Sequence, residues 1–392
     1  MTRNSIIFEN ELRELSDKGL RRSLKEISGP QGREIILEGR KVLNFCSNNY
    51  LGLADDPRIV EAACSSLKSE GFGSGASRLV CGNMESHRSL QEAVAKLKKT
   101  EQCLLFSSGY MANVGIISGL FGRDDLIISD KLNHASIVDG IILSRADSKR
   151  YAHKDMDALE DILKNTGKYR RKLIVTDSVF SMDGDLAPLQ EIVSLSNKYD
   201  ALVMVDEAHA FGVLGENGSG LVEQLGLHGQ IDIQMGTFSK AAGTYGAYCC
   251  GSKAMIDLLV NRARSFIYTT GLPPSVAAAS LEAVRIIESD RTLRQKLAQQ
   301  AQYLREGLKQ LGFDTMASQT PIIPVLLKDA AIAMEFSRRL LECGIFVQAI
   351  RPPTVPVNSS RLRITVMATH VKEDIEYLLE LMQKIGRDLA VI

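Results

Sequence analysis

Gly236-Thr237-Phe238-Ser239-Lys240 closes the short apolar run from Ile231 to Met235. It sets an amine behind two hydroxyl residues at the mouth of a buried strand. A lysine amine gives up its charge readily on burial and then forms Schiff bases, so the segment suits a covalently held aldehyde cofactor such as pyridoxal phosphate (PLP). The hydroxyls of Thr237 and Ser239 lie where a phosphate would. A lysine after a strand is also commonly a solvated loop residue that snorkels to water, so the reading needs partners.

The first partner lies upstream, where Leu202-Val203-Met204-Val205 is a continuous apolar run of strand length that ends in Asp206-Glu207-Ala208-His209. Such runs are buried strands of parallel sheets. Open α/β sheets bind ligands outside the carboxyl ends of their strands, which brings Asp206 to the crevice that Lys240 enters. A carboxylate there keeps a pyridine nitrogen protonated and makes the ring an electron sink. His209 is placed for the ring oxygen. Asp-Glu-Ala-His also occurs in helicases as a magnesium-binding motif, but that chemistry needs a Gly-x-x-x-x-Gly-Lys-Ser/Thr loop. The only Gly-Lys pair, Gly167-Lys168, is followed by Tyr169. The plainer alternative is that Asp206 caps the next helix.

Ser107-Ser108-Gly109-Tyr110 follows the apolar run Cys103 to Phe106 and precedes the helix-forming run Met111 to Leu120. Backbone amides at a helix start bind phosphate without a basic side chain. After a further strand, Leu126 to Ser129, Asn133-His134-Ala135-Ser136 opens a helix at the same sheet edge. An imidazole there either stacks on a cofactor ring or serves as a cap. Gly71-Phe72-Gly73-Ser74-Gly75-Ala76 fits a loose dinucleotide fingerprint, yet the preceding Val60 to Lys68 has a helical pattern, so this segment reads as a loop near the site.

With 392 residues the chain has room for two domains. Lysine plus arginine equals aspartate plus glutamate at 47 each, which leaves no global field to attract nucleic acid or an anionic membrane. The seven cysteines contain no Cys-x-x-Cys pair, arguing against a metal site and a disulfide framework and for a reducing cytoplasm. Met1 to Leu15 lacks the apolar core of a signal peptide, and no run reaches the length of a membrane span. A soluble, cytoplasmic protein is expected.

Three regions are expected. Residues 1–53 form a charged helix up to about Gln31 and a hairpin of Glu34 to Leu37 with Val42 to Phe45. Residues 54–289 alternate strands and helices as a doubly wound α/β domain, with strands at Cys103 to Phe106, Leu126 to Ser129, Leu173 to Thr176, Leu202 to Val205, Ile231 to Gly236 and Ala247 to Cys250. Residues 290–392 form a smaller α+β domain, completed by the N-terminal segment: a helix (Leu293 to Leu311), a strand (Ile322 to Leu327), a helix (Ala330 to Cys343), a strand (Leu362 to Val366) and a terminal helix.

Together these motifs resemble a fold-type I PLP-dependent transferase of the α-oxoamine synthase family. The resemblance runs nearly end to end, from Asn44-Phe45-Cys46-Ser47-Asn48-Asn49-Tyr50-Leu51-Gly52 through Thr237-Phe238-Ser239-Lys240 to the C-terminal domain. Arg351-Pro352-Pro353-Thr354-Val355-Pro356 and Arg361-Leu362-Arg363-Ile364-Thr365 are most similar to members that join L-alanine to a pimeloyl thioester on coenzyme A or acyl carrier protein. Glycine with a short acyl-CoA is the runner-up, and a non-catalytic partner subunit a more distant alternative.

The resemblance implies a mostly parallel, doubly wound sheet and the following roles. Lys240 would carry PLP and act as base at the substrate Cα, Asp206 would pair with the ring nitrogen, His209 with the ring oxygen, and His134 would stack on the ring and contact substrate. Ser108, Gly109, Tyr110 and Thr237 would bind the phosphate, and Ser181 would sit close to the cofactor. Arg363, with Asn48 beside it, would hold the substrate carboxylate, and Arg21 and Thr354 would contact the acyl group, although Arg21 reads equally as a solvated helix charge. Tyr268-Thr269-Thr270-Gly271 would reach the phosphate of a second subunit, which implies a homodimer. Phe211 departs from the small polar residue that relatives often carry there and puts the local pocket shape in question.

Overall fold

Three sheets organise the chain, and the largest of them positions Lys240. The protein is described here by a computed structural model for residues 3–17 and 20–392. The N-terminal sheet contains β1 (Ile27–Ser28), β2 (Glu34–Leu37) and β3 (Arg40–Asn44). β2 and β3 form the expected hairpin. Glu38 (φ 48) and Gly39 (φ 81) take left-handed backbone at its tip, the geometry whose twist matches that of the two strands.

The large sheet is built from β4 (Gln102–Phe106), β5 (Asp125–Asp130), β6 (Asp147–Tyr151), β7 (Arg171–Asp177), β8 (Leu202–Asp206), β9 (Ile233–Thr237) and β10 (Ala247–Gly251). Their order across the sheet is β4-β10-β9-β8-β7-β5-β6, and β10 alone runs against its neighbours. Alternate residues supply the two faces: Leu104 and Phe106 join one apolar cluster, Cys103 and Leu105 the other. Helices cover both faces, which is the doubly wound arrangement expected. β11 (Ile322–Lys328), β12 (Ile345–Phe346), β13 (Gln348–Ile350) and β14 (Ser360–Thr365) follow. β11, β14 and β13 form a small antiparallel sheet, and β12 pairs in parallel with β3 of the N-terminal hairpin.

Three expectations need correction. The N-terminal helix ends at Asp17 rather than near Gln31, with the amides of Leu20 and Arg21 returning to the Leu15 carbonyl. Arg21 therefore lies in irregular, exposed chain and is not a helix charge. β6 was not expected at all. Its sequence Asp-Ser-Lys-Arg-Tyr is exposed except at Tyr151, as suits an edge strand that pairs only with β5, and it carries no apolar run to find. β12 and β13 have two and three residues, too few for a period to register.

Beneath the large sheet a lysine and a glutamate are wholly buried. Lys98, the last residue of helix Glu85–Lys98, donates to the Glu207 carboxylate and, at 2.7 Å, to the Ser219 carbonyl. Val222 N donates to Glu207 Oε1 at 2.9 Å. The pair ties a helix end, the turn after β8 and the following loop into one unit. Removing one member leaves an uncompensated buried charge, at a cost of about 3–5 kcal/mol. Lys98→Met is expected to lower the urea midpoint of unfolding accordingly; an unchanged midpoint would show that the pair does not hold this region.

Candidate active site

Four parallel strands deliver the functional side chains at their carboxyl ends. β5 leads to His134, β7 ends in Asp177 and leads to Ser181, β8 ends in Asp206 and leads to His209, and β9 ends in Thr237 and leads to Lys240. The register sets Asp177 opposite Asp206 and Asp206 opposite Met235. Between them lies a cavity of about 180 Å³ lined by Lys240, Asp206, His209, His134, Ser181 and Thr237, closed on one side by Gly109 and Tyr110.

Lys240 lines the cavity and is partly buried. Burial pulls its amine down to about 8, against the upward pull of the Asp206 and Asp177 carboxylates. Burial raises the Asp177 carboxyl well above the usual range, and the Asp206 charge raises it further. His209 is pushed well below its ordinary value by burial and then by Lys240. Burial also lowers His134, whose Nδ1 lies 2.7 Å from Ser136 Oγ.

Asp206 is held from two sides. Ala208 N donates to Oδ1 at 2.9 Å, and Asn113 Nδ2 donates to Oδ2 at 2.8 Å. The local turn bond reproduces the capping alternative in part, but the carboxylate also faces the cavity. Asn113 Nδ2 reaches Ser136 Oγ as well, while its Oδ1 is buried without a partner. His134 N donates to Asp177 at 2.8 Å, which joins the turn after β5 to the end of β7.

Ser108 caps helix Gly109–Leu120: its hydroxyl accepts from Met111 N and its carbonyl from Ala112 N. The amides of Gly109 and Tyr110, which point out of a helix start, are left for a ligand. A Cβ on Gly109 would meet Met235 Cε at 3.3 Å, so glycine keeps this wall close to the floor of the cavity. The Thr237 hydroxyl donates to Gly246 O at 2.7 Å and lies 2.7 Å from Ser239 Oγ. A depressed amine for an aldehyde, a carboxylate for a ring nitrogen and free helix-start amides for a phosphate fit PLP part by part.

Next to the cavity, Arg363 Nε donates to the Ser181 carbonyl at 2.6 Å and Nη2 to Asn48 Oδ1 at 3.1 Å. One bond runs from the small sheet to the large domain and the other to the N-terminal segment, and together they fix the guanidinium beside Ser181 of the cavity wall. Several expected residues stand elsewhere. The Ser108 hydroxyl is taken up by its cap. Thr354 is exposed and accepts from Arg22 Nη2 at 3.2 Å, and neither it nor Arg21 lines the cavity. Thr269 and Thr270 also lie outside it within one chain, in a segment whose Gly271 N bonds to Ala76 O of the glycine-rich loop. Phe211 packs against Phe238 and Tyr248, away from the cavity, so its departure does not alter the pocket wall.

Sequence reading missed Asn113 and Asp177. Asn113 stands out as the polar residue in the apolar helix Met-Ala-Asn-Val-Gly-Ile-Ile. Asp177 ends an apolar strand in the way Asp206 does, one residue past the point where that strand was expected to stop.

The comparisons with known proteins agree with this geometry. Residues 40–382 match the aminotransferase class I and II family. The chain belongs to that family and, within it, to the PLP-dependent α-oxoamine synthases. It is 52% identical over its whole length to the whole of the 8-amino-7-oxononanoate synthase of Geobacter sulfurreducens. With that of Citrifermentans bemidjiense it shares 53% identity across 98% of this chain and 99% of the other. Among solved structures it is similar to the serine palmitoyltransferase of Sphingomonas wittichii, with a TM-score of 0.93, 35% identity, and coverage of 99% of this chain and 98% of that one. The 8-amino-7-oxononanoate synthase of Francisella tularensis gives a TM-score of 0.77 at 30% identity, covering 88% of this chain and 98% of that one.

Because only the uncharged amine attacks an aldehyde, capture of PLP by the cofactor-free protein is expected to speed up about tenfold per pH unit below pH 8 and to level off above it. Stopped-flow absorbance checks this. A rate still climbing steeply at pH 9.5 would mean that the amine keeps its ordinary basicity.

Proposed function

We propose that the protein is an 8-amino-7-oxononanoate synthase, which condenses L-alanine with a pimeloyl thioester, releases carbon dioxide and the thiol carrier, and so serves biotin biosynthesis. The full-length identity of about half to relatives of that name carries the proposal. The cavity supplies the parts that such a reaction needs. PLP, when bound, supplies an electron sink for the carbanion formed at the amino acid Cα.

The chain's own residues do the rest. Arg363, steadied by Ser181 and Asn48, takes the alanine carboxylate and sets which Cα bond lies perpendicular to the ring plane. Lys240 Nζ, with its lowered basicity, removes the Cα proton. Asp206, locked by Asn113 and Ala208, holds a proton on the ring nitrogen. His134 would lie against the ring and His209 would meet its oxygen, while the Gly109 and Tyr110 amides would take the phosphate, with Thr237 and Ser239 beside it. Arg21 and Thr354, exposed and outside the cavity, meet the acyl thioester.

The protein acts as a homodimer in this proposal. Phe72, Val80 and Tyr268 are large apolar residues left between 71% and 78% exposed around the glycine-rich loop and the 268–271 segment. A second copy covers them and brings Thr269 and Thr270 to the opposite cofactor phosphate. Among the described residues no helix is long and apolar enough to cross a membrane.

Asp206→Asn is expected to retain the cofactor and lose on the order of 100-fold in turnover, the size of a well-placed electrostatic contact; near-normal turnover would remove Asp206 from the reaction. Arg363→Ala is expected to slow exchange of the alanine Cα proton with deuterated water by about 100-fold even without thioester, whereas Arg21→Ala and Thr354→Ala preserve the exchange and impair condensation. Mass spectrometry of products from alanine or glycine, each offered with pimeloyl-CoA or acetyl-CoA, tests the substrates. Preference for glycine with acetyl-CoA would keep the family and overturn the named activity.

A further inference from the structure

Tyr50 is 1% exposed and lies between the arginine beside the cavity and the histidine in it. Its Oη is 2.7 Å from His209 Nδ1 and 3.2 Å from Asn48 Oδ1. A phenol has a single hydrogen, and two neighbours compete for it. Arginine only donates, so the Asn48 atom that meets Arg363 Nη2 at 3.1 Å is the amide oxygen; one of its lone pairs takes that hydrogen, and the other makes only the longer 3.2 Å contact with Tyr50 Oη. His209 Nδ1 is the nearer neighbour. Burial and the Lys240 charge keep His209 neutral, which leaves one of its ring nitrogens bare and able to accept. Burial raises the Tyr50 phenol above its ordinary value, so it keeps its hydrogen, and the nearby Arg363 charge offsets part of that rise.

We infer that Tyr50 is a positioning residue that donates to His209 Nδ1, confines the single imidazole hydrogen to Nε2, and so presents Nε2–H to the bound ligand's oxygen. The Arg363 charge acts on the other side of the phenol, and Asn48 Oδ1 fixes that guanidinium. The residue group that receives the substrate carboxylate is thereby connected to the one that meets the cofactor oxygen through the side chains of Asn48 and Tyr50. The functional meaning rests on the cofactor site proposed above, but the tautomer belongs to the chain and is readable with or without cofactor.

The test is nitrogen NMR of the full chain labelled at histidine, in cofactor-free and PLP-loaded forms. With six histidines in the sequence, His209 is assigned by the loss of its signals in His209→Gln. The wild type is expected to carry its hydrogen on Nε2 in both forms, with Nδ1 showing the shift of a hydrogen-bonded acceptor. In Tyr50→Phe that shift disappears, the cofactor-free protein populates the Nδ1–H form, and the pH midpoint of the bound cofactor's visible band moves. The same variant is expected to lose about threefold to tenfold in kcat/KM for alanine, the effect of one neutral hydrogen bond. A wild-type hydrogen on Nδ1 overturns the inference without any variant having to fold, and so does a Tyr50→Phe protein whose tautomer and band midpoint are unchanged. If the wild-type tautomer is as stated but PLP binds away from Lys240, the hydrogen-bond assignment survives and the cofactor site does not.

Discussion

The parallel ladder between β8 and β9 is the constraint on which the site depends. It places Asp206 opposite Met235, so that the carboxylate and the chain leading to Lys240 leave the sheet at the same level. Side chains in a strand alternate faces, and a slip of one residue would send Asp206 to the far side of the sheet and Glu207 into the crevice. The opposite assignments of these two neighbours illustrate the point. Asp206 faces the cavity, while Glu207 is buried with Lys98 on the other side. One acid lines the cavity and the next holds the turn that carries it.

Charge balance inside the crevice follows from the same geometry. A lone buried amine would lose its proton altogether, and two facing carboxylates without a cation would repel. Lys240, Asp206 and Asp177 temper one another, which leaves an amine at about 8 and an Asp177 carboxyl that resists ionisation. Each strand end is required because each moderates the next.

Much of this was legible in sequence because the strands are buried on both faces and read as continuous apolar runs ending in a polar residue. Lys240, Asp206, His209 and His134 stand at such endings, and the structure brings all four to one cavity. Edge strand β6 escaped notice because its neighbour on one side is water, and β12 and β13 because they are shorter than any period. Asn113 and Asp177 owe their places to pairing across elements, which sequence spacing does not encode. The hydrogen-bond partners of Arg363 and Tyr50 come from segments 315 and 159 residues away, and only the folded chain states which atom meets which.

The parallel pairing of β12 with β3 has a consequence for the life of the chain before it is an enzyme. Ile345 meets Leu43 and Phe346 meets Asn44, so the hairpin made early in synthesis has an open edge until some three hundred further residues have emerged. Contacts of that sequence separation are slow to form, and an unpaired edge is a template for other strands. The large α/β unit lies between the two pairing partners and has time to fold first. Arg363 and Asn48 meet only after the last strands arrive, whereas Asp206 and Lys240 belong to strand ends synthesised well before them. The β3 edge is therefore the part of this architecture left longest open to wrong pairing during synthesis.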